Sequence, residues 1–417
     1  MARTSSGAGR ILYWGDSPAV ATGFGVVARQ VLGALHGAGM GVNCLTINSP
    51  ADFIDPEVFP YGMVPAPTTT SDRAGAAAFA RALSSPSPPV LALVQNDLAL
   101  THSAATLLTA MRQRGNKLPP ILNYFPVDGS VRRDFSGMLL ASDVNITCTS
   151  FGRAETARVF PEHAPLVIPH GVSTATFRPL PDRDAVRRAV RRALRVPEDA
   201  LLICSVASNN VRKDLSRTIA AFSEFRAQCE PRAVLYLHTL PFSNGIDLAA
   251  AASACGFVLG RDVLFPPNYH PLAASLDDRA MNELYNACDL YFTTTLGEGW
   301  GLPITEAMAS GLPVVAPRHS SLAEHGANGR AILYECAERV WVDNSGYRPF
   351  AHLSDIVAAL VRAVSMSATT RSELVAAALA YAQSLDWAHI TPHWVALVER
   401  TLNAVRDEAR PSVRPVH

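Results

Sequence analysis

The stretch from residue 289 to 317, DLYFTTTLGEGWGLPITEAMASGLPVVAP, limits the fold more than any other part of the chain. Its first residues, 290–295, are apolar or β-prone and have the length of a buried strand. A glycine-broken loop at 297–301 comes before a helix that we expect to begin at Pro303, because the fixed φ of proline suits a first helical position. With the apolar run after it, this pattern predicts a βαβ unit whose loop lies at the carboxyl end of a parallel sheet, where open α/β folds bind ligands.

The chemistry of this loop indicates an anion site between two hydroxyl-binding acids. Gly297, Gly299 and Gly301 let the backbone approach a ligand, and the helix start offers unpaired N–H groups to an anion. Glu298 and Glu306 would repel a phosphate, but a carboxylate can accept two hydrogen bonds from vicinal sugar hydroxyls. The pattern therefore predicts a nucleotide sugar, with its diphosphate between ribose and hexose. The alternative is that both glutamates are solvated acids stabilised by the helix dipole.

The same residues resemble a known family. The run EGWGLPITEAMASGLPVVA resembles the signature of the retaining GT-B glycosyltransferases of family four, a glutamate, seven residues and a second glutamate. The resemblance implies that Glu306 binds the ribose hydroxyls and that Glu298 binds the transferred sugar. It also implies that sugar and phosphate are held by the residues between them: Gly299, Trp300, Gly301 and Leu302.

The resemblance implies an α/β fold of the GT-B type, in which two Rossmann-like, doubly wound domains face each other across a cleft. A length of 417 residues is enough for two domains with full cores. The run HGVSTATFRP resembles the interdomain segment of the family, so we expect the hinge between Gly171 and Asp184. We expect an acceptor-binding domain over residues 1–175, a donor-binding domain over residues 176–388, and a C-terminal helix and tail over residues 389–417 that cross back to the first domain.

Composition predicts a globular, cytoplasmic protein. Hydrophobic residues make up 48% of the chain and charged residues 17%, which is typical of a folded protein. The formal net charge of zero gives no electrostatic reason to expect nucleic acid or an anionic membrane as a partner. No apolar run approaches the ~20 residues of a membrane span, and residues 1–10 lack the hydrophobic stretch of a signal peptide. The seven scattered cysteines indicate reduced thiols.

A second glycine loop lies between the first strand and the first helix. Gly23, Phe24 and Gly25 stand where a backbone could approach a phosphate, although Ala28 occupies the third glycine position of a dinucleotide fingerprint. The alternative is a tight turn without a ligand. In the GT-B family this loop faces the diphosphate across the cleft, so the three residues are candidates for donor binding. Asp16, close by, is a candidate for acceptor binding.

Asp128 follows an expected strand at residues 119–125 and should point into the same crevice. We expect it to contact the donor sugar or the acceptor. The alternative is an aspartate that makes the turn before Gly129. Family members often carry a histidine near this position. His170, at the end of another expected strand, could line the cleft or be structural.

Two cations stand at a strand-to-helix junction in the second half of the chain. Arg212 and Lys213 follow the apolar run 201–207 and can neutralise a leaving diphosphate. The family has an arginine five positions before the lysine, where this chain has Ser208. Arg212 could replace that arginine in binding the diphosphate, or backbone amides could hold the phosphate instead. The alternative is a pair of surface cations. Asn209 is a further candidate for donor binding, and the candidate catalytic residues are Asp128, Arg212, Lys213 and Glu298.

Neither a metal nor a cofactor is expected. Asp182 and Asp184 have the spacing of the metal-binding aspartates of the other large transferase fold, but an arginine-rich helical pattern follows them. We therefore expect them to cap that helix and pair with it. No other cluster has metal-ligand spacing, and the nucleotide sugar would be a substrate.

These observations predict metal-independent transfer of a sugar from a nucleoside diphosphate sugar to an acceptor hydroxyl, with the retention of configuration that the family implies. The alternatives are a GT-B nucleotide-sugar epimerase and a non-catalytic sugar-nucleotide-binding protein. The acceptor could be a glycan, a lipid-linked sugar, a small metabolite or a modified DNA base. The neutral charge disfavours DNA, and no basic amphipathic segment favours a membrane. The base and sugar of the donor, the linkage and the oligomeric state are left open.

Overall fold

Two separate parallel β-sheets organise the chain in the computed structural model, which describes residues 10–49, 55–267, 269, 276–342 and 346–408. This arrangement agrees with the expected pair of α/β domains. Residues 1–9 and the tail 409–417 lie outside the described residues. The domain boundaries given above stay predictions.

The first sheet has seven parallel strands in the order β3-β2-β1-β4-β5-β6-β7. These strands are β1 Ile11–Asp16, β2 Val42–Ile47, β3 Gly62–Pro65, β4 Leu91–Gln95, β5 Ile121–Tyr124, β6 Val144–Thr147 and β7 Leu166–Val167. The helices of this half are α1 Gly23–Gly37, α2 Ala76–Leu83, α3 Leu98–Gln113, α4 Gly137–Ala141 and α5 Ser150–Val159. All residues of the central strand β1 are buried, as expected for a strand covered on both faces.

The strands of the second half are β8 Leu202–Val206, β9 Val234–His238, β10 Phe242–Ser243, β11 Ile246–Asp247, β12 Val263–Leu264, β13 Leu290–Phe292, β14 Val314–Pro317, β15 Ile332–Tyr334, β16 Glu338–Val342 and β17 Gly346–Phe350. Six of them form a parallel sheet in the order β12-β9-β8-β13-β14-β15. Strands β10–β11 and β16–β17 form two antiparallel hairpins. In both sheets the strand order reverses beside the first strand, between β1 and β4 and between β8 and β13. The carboxyl ends of these strand pairs are the expected ligand crevices.

The helices of the second half surround this sheet and end in a long helix that returns to the first half. They are α6 Arg183–Leu194, α7 Leu215–Gln228, α8 Leu248–Ala254, α9 Asp278–Ala287, α10 Leu302–Ala309, α11 Ser320–His325, α12 Leu353–Ser365, α13 Ala368–Ser384 and α14 Trp387–Glu408. Among the described residues, no single helix is long and apolar enough to span a bilayer. Helices α12 and α13 meet that criterion only as a pair bent by 106°.

The return of α14 to the first half confirms the expected crossing. The helix packs against α1. The indole of Trp394 is 1% exposed and lies edge-on to Tyr124, with ring centroids 4.7 Å apart. Just before the helix, the N–H of Val172 donates to the carbonyl of Leu385 over 2.9 Å. The two halves therefore share one hydrophobic core at this junction.

Two local expectations were wrong. Helix α10 begins at Leu302, with Gly301 as its N-cap at φ +91°, so Pro303 is its second residue. Asp182 occupies the N-cap position of α6, but its side chain makes no capping hydrogen bond. Its φ of −100° and ψ of 32° depart from the extended backbone that N-cap residues usually adopt, which accounts for the missing contact.

Replacing Trp394 by alanine should lower the free energy of unfolding by about 3–5 kcal/mol, because a buried aromatic anchor of the crossing helix is removed. Urea titration followed by circular dichroism measures this change. Glu399→Ala, at an exposed position of the same helix, is the matched control and should change the unfolding free energy by less than about 0.5 kcal/mol. Equal effects of the two substitutions would contradict an anchoring role.

Candidate active site

A cleft of about 460 Å³ lies between the two halves, at the carboxyl ends of the central strands of both sheets. Ten residues singled out from the sequence as donor-binding or catalytic line it: Gly23, Phe24, Asp128, Arg212, Lys213, Glu298, Gly299, Trp300, Gly301 and Leu302. His170 lines it as well. The structure therefore brings together residues that are up to 279 positions apart in the chain (302 minus 23).

Glu298 lies at the centre of this cleft between two cations. Its side chain is 10% exposed. Oε1 pairs with Lys213 Nζ, and Oε2 accepts from Arg212 Nη1 over 3.1 Å. Burial by itself raises the pKa of Glu298, but Lys213 and Arg212 outweigh burial and hold the pKa at about 2. Glu298 is therefore an ionised carboxylate at neutral pH.

The two cations differ in how burial and their neighbours act on them. Burial lowers the pKa of Lys213, and Glu298 opposes this effect only in part. Burial also disfavours the charge of Arg212, but Glu298 and Asp128 more than compensate, and its pKa is raised. The pairing of Lys213 with a carboxylate that stays ionised keeps its ammonium charged, and the contact is an ion pair.

Asp128 connects the first half of the chain to this cluster. Its Oδ2 lies 3.2 Å from Arg212 Nε, and its Oδ1 lies 2.8 Å from Arg348 Nη2. Arg348 also donates to the backbone carbonyl of Asp128. The side chain of Arg348 is 4% exposed and belongs to β17. No motif predicted this residue, and its place in the cleft depends on a hairpin that the sequence pattern did not reveal.

The signature loop leaves a row of backbone donors without protein partners. Among the described residues, the N–H groups of Gly299, Trp300 and Gly301 have no hydrogen-bond acceptor. The N–H of Glu298 is used within the protein, where it donates to Ser320 Oγ over 3.1 Å. Unpaired amides at a helix N-terminus bind anions, and these three belong to residues that line the same cleft as Lys213.

Side chains of helix α11 bind backbone carbonyl groups of this loop. Ser321 Oγ lies 2.7 Å from the carbonyl oxygen of Trp300 and 3.0 Å from that of Glu298, so its single hydroxyl proton is shared between the two. The Nε2–H of His325 donates to the same Trp300 carbonyl over 2.8 Å. Burial lowers the pKa of His325 to about 4, so the imidazole is neutral at physiological pH. The carbonyls of Glu298 and Trp300 are therefore bound by α11, and that of Gly299 accepts from Cys148 Sγ over 3.1 Å. Among the described residues of this loop, only the amides of residues 299–301 are left without a partner.

The loop glycines are required by the approach of the two halves to each other. A Cβ at Gly297 would overlap the carbonyl oxygen of Asp128, and a Cβ at Gly299 would overlap the ring of Pro126. Close backbone approach to a ligand, which the sequence suggested, is a second use of the same positions. Across the cleft, the nearest atom to a Cβ at Gly23 would be Leu302 Cδ1 at 3.8 Å.

Gly25 and Asp16 do not line the cleft. A Cβ at Gly25 would lie 2.8 Å from the carbonyl oxygen of Ser17, so this glycine is needed for a tight turn. Asp16 is 2% exposed and accepts hydrogen bonds over 2.7–3.2 Å from three side chains: Thr22, Asn48 and Asn96. Asp16 therefore ties together the loops that follow β1, β2 and β4.

Asn209 and Glu306 also lie outside the cleft lining. The side-chain amide of Asn209 donates to the carbonyls of Leu240 and Ile246, which fixes the β10–β11 hairpin. Glu306, in α10, is half-buried and accepts from the hydroxyl of Tyr285 over 3.1 Å. Burial raises the pKa of Glu306 to about 7, although the bond from Tyr285 acts in the opposite direction. This carboxyl group therefore titrates near neutral pH.

Asp97 is a second residue of the cleft that the sequence did not single out. It is the N-cap residue of α3, but its carboxylate makes no capping hydrogen bond and is exposed in the cleft. The described residues contain no group of three or more His, Cys, Asp or Glu side chains that could hold a metal ion. Metal independence stays a prediction.

Comparisons with known protein sequences find similarity over part of the chain. Residues 246–341 match the family model described as "Glycosyl transferases group 1". The chain is 29% identical over 232 residues to a D-inositol 3-phosphate glycosyltransferase of Stackebrandtia nassauensis, which covers 54% of this chain and 46% of the relative. It is 26% identical over 251 residues to the protein of the same name from Mycobacterium avium, which covers 58% and 51%. The chain spans about half the length of the curated relatives it matches.

Solved structures with the same fold cover nearly the whole chain. Sucrose-phosphate synthase from Thermosynechococcus elongatus is similar with a TM-score of 0.71 and 17% identity, over 95% of this chain and 100% of that one. The Anabaena protein HepE in complex with UDP-glucose is similar with a TM-score of 0.66 and 15% identity, over 94% and 100%. The fold is therefore GT-B, as expected.

Replacing Gly297 by alanine should push the two halves apart, because the new Cβ overlaps the carbonyl of Asp128. We expect a loss of about 1–3 kcal/mol in the free energy of unfolding and a larger radius of gyration in small-angle X-ray scattering. Gly33→Ala is the control, since no atom lies within 4 Å of a Cβ at that helical position. An unchanged radius and stability in the Gly297 variant would show that the halves are not in contact there.

Proposed function

We propose that the protein is a retaining, metal-independent glycosyltransferase that moves a sugar from a nucleoside diphosphate sugar to an acceptor hydroxyl. The observation that carries this proposal is the row of unpaired amides at Gly299, Trp300 and Gly301, which lines the same cleft as Lys213 and Arg212. Amides and cations together suit a diphosphate. The names of the similar proteins support the class, and the UDP-glucose complex of HepE supports a nucleotide sugar.

Donor binding exchanges the partners within the charged cluster. The diphosphate replaces the carboxylate of Glu298 as a partner of Lys213 and Arg212, because phosphate oxygens are strong acceptors for both cations. Glu298 then accepts hydrogen bonds from hydroxyls of the transferred sugar. Glu306, one turn into α10 and outside the lining of the empty cleft, is assigned to the ribose hydroxyls, which would replace the hydroxyl of Tyr285 as its hydrogen-bond donor.

Catalysis rests on stabilising the leaving diphosphate. As the glycosidic bond breaks, negative charge develops on the phosphate oxygen, and Lys213, Arg212 and the loop amides lie where that charge appears. The acceptor hydroxyl attacks the anomeric carbon from the face on which the diphosphate leaves, and the leaving phosphate takes its proton. The anomeric configuration is therefore retained. Asp128 and Asp97, on the wall formed by the first half, are placed to orient that hydroxyl. The protein groups supply the positive charge that a metal would otherwise provide.

The transfer of the sugar can be tested with a donor screen. UDP-, GDP-, ADP- and TDP-sugars are added separately, and both thermal stabilisation and release of the nucleoside diphosphate are measured, alone and with an acceptor panel of glycans, lipid-linked sugars, polyols and modified DNA. One donor should raise the melting temperature and be consumed, with a product of retained configuration seen by NMR. Release of an epimeric nucleotide sugar without an acceptor would indicate an epimerase, and binding without turnover would indicate a sensor.

Replacing Glu306 by alanine should weaken binding of the donor about tenfold, because the acceptor of the ribose hydroxyls is lost and a charge-assisted hydrogen bond is typically worth about 1.5 kcal/mol or more. Isothermal titration calorimetry with the donor identified by the screen measures this. Glu283→Ala, at a half-buried position of α9 where the carboxylate pairs with Arg279, is the matched control and should leave the dissociation constant unchanged. Equal affinities in the wild type and the Glu306 variant would remove Glu306 from the donor site.

Donor affinity should also depend on pH through Glu306. Its pKa in the empty protein is raised to about 7, and only the ionised carboxylate accepts hydrogen bonds with both oxygens. Donor binding therefore favours loss of a proton, and the affinity should rise as the pH increases from about 6 to about 8. Glu306→Gln should remove this dependence. A pH profile that is the same in both proteins would assign the titration to another group.

A further inference from the structure

One guanidinium reaches the cleft from a hairpin outside both sheets. In hairpin β16–β17, Val340 pairs with Arg348, and Trp341 pairs with Tyr347. Trp341 and Tyr347 are 58% and 60% exposed, whereas Arg348 is buried. Successive residues of a strand point to opposite faces, so the hairpin presents an aromatic pair to solvent and Arg348 to the cleft.

Arg348 holds both the side chain and the main chain of one residue in the other half of the molecule. Its Nη2 lies 2.8 Å from Asp128 Oδ1, and its Nη1 donates to the carbonyl oxygen of Asp128. The second carboxylate oxygen is held by Arg212 Nε at 3.2 Å. Each oxygen of Asp128 therefore has its own arginine, and both arginines come from the second half.

The surroundings leave room for the guanidinium and for little else. A Cβ at Gly129 would lie 2.8 Å from Arg348 Cζ, and a Cβ at Gly297 would lie 2.7 Å from Arg348 Nη1. One of these glycines belongs to the first half and the other to the second. Arg348 Nε is buried and has no hydrogen-bond partner in the described part of the chain. A buried charge that keeps an unpaired N–H is costly, so the remaining contacts of Arg348 must outweigh that cost.

The two arginines have separable tasks. Arg212 also pairs with Glu298 and lies beside Lys213, and the proposed function assigns it to the diphosphate. If Arg348 were absent, Arg212, which already pairs with Asp128, could take both of its carboxylate oxygens, and a bidentate pair would occupy the guanidinium that the donor needs. Arg348 binds one carboxylate oxygen and thereby leaves part of Arg212 free for the phosphate.

We propose that Arg348 is a positioning residue, which fixes the carboxylate of Asp128 in the cleft and makes closure of the two halves a condition for that geometry. The proposal rests on the proposed function, because it gives Asp128 the task of contacting the sugar or the acceptor. The hairpin then acts as a strap: it contacts Asp128 when the halves are closed and cannot reach Asp128 when they separate.

The kinetic test compares Arg348→Ala, Arg348→Lys and Arg339→Ala, using release of UDP from UDP-glucose as the measured reaction. Arg339 lies on the same hairpin and is exposed, so its substitution controls for effects on the hairpin itself. Arg348→Ala should lower kcat about 100-fold with KM changed by less than about threefold, since a misplaced contact acts on the transition state. Arg348→Lys should recover little, because one ammonium cannot replace a guanidinium that contacts the carboxylate and the backbone carbonyl of Asp128 at once.

Two further readouts separate positioning from a purely structural role. Millimolar guanidinium should partly restore turnover in Arg348→Ala and leave Arg339→Ala unchanged. Combining Arg348→Ala with Asp128→Asn should be no slower than Asp128→Asn alone, because both substitutions remove one interaction. Wild-type kcat and KM in the Arg348 variants, or fully additive effects with Asp128→Asn, would overturn the proposal.

Hydrogen exchange distinguishes failure of this proposal from failure of the proposed function. Should the wild-type protein turn over no nucleotide sugar, the transferase assignment fails, and the strap is judged by exchange at the amides of residues 127–131. Exchange there should be faster in Arg348→Ala than in Arg339→Ala. Equal exchange in the two variants would overturn the role of Arg348 in closure, whatever the protein catalyses.

Discussion

The architecture of the cleft depends on one row of alternating charges. Lys213, Glu298, Arg212, Asp128 and Arg348 follow one another as cation, anion, cation, anion and cation, each in contact with the next. Each carboxylate lies between two cations, so loss of Glu298 would leave Lys213, and loss of Asp128 would leave Arg348, without the anion it pairs with. Only Asp128 comes from the first half, and the row therefore joins the two halves through that single residue.

The contact between the two halves also determines the backbone conformation around this row of charges. Gly297 and Gly299 have no room for a side chain because Asp128 and Pro126 of the first half pack against them. Through Ser321 and His325, helix α11 binds the carbonyls of Glu298 and Trp300, and the amides of residues 299–301 have no acceptor among the described residues. Contact between the halves and exposure of the anion-binding amides are thus two results of one loop conformation.

The pattern of an apolar run followed by a loop predicted those site residues that follow strands of the two sheets. The apolar run before Glu298 and the helix after it predicted the βαβ unit, and Arg212 and Lys213 were found because they follow the apolar run 201–207. Arg348 could not be found in this way. It is one arginine among many, and it reaches the cleft through a hairpin containing a proline and a glycine, where neither period of hydrophobicity is visible. Helix α3 likewise shows no clear helical pattern of large apolar residues, since its buried face consists largely of alanine and threonine.

A cleft whose cations are already paired with its own carboxylates selects its ligand by two conditions at once. An entering anion must compensate Lys213 and Arg212 when it displaces Glu298, which a diphosphate can do with several oxygens. The displaced carboxylate then needs hydrogen-bond donors, since a buried acceptor left without them costs free energy. Sugar hydroxyls supply these donors, whereas a bare diphosphate has none to offer. In the proposed function, the internal ion pairs therefore favour a diphosphate that carries a sugar over one that does not.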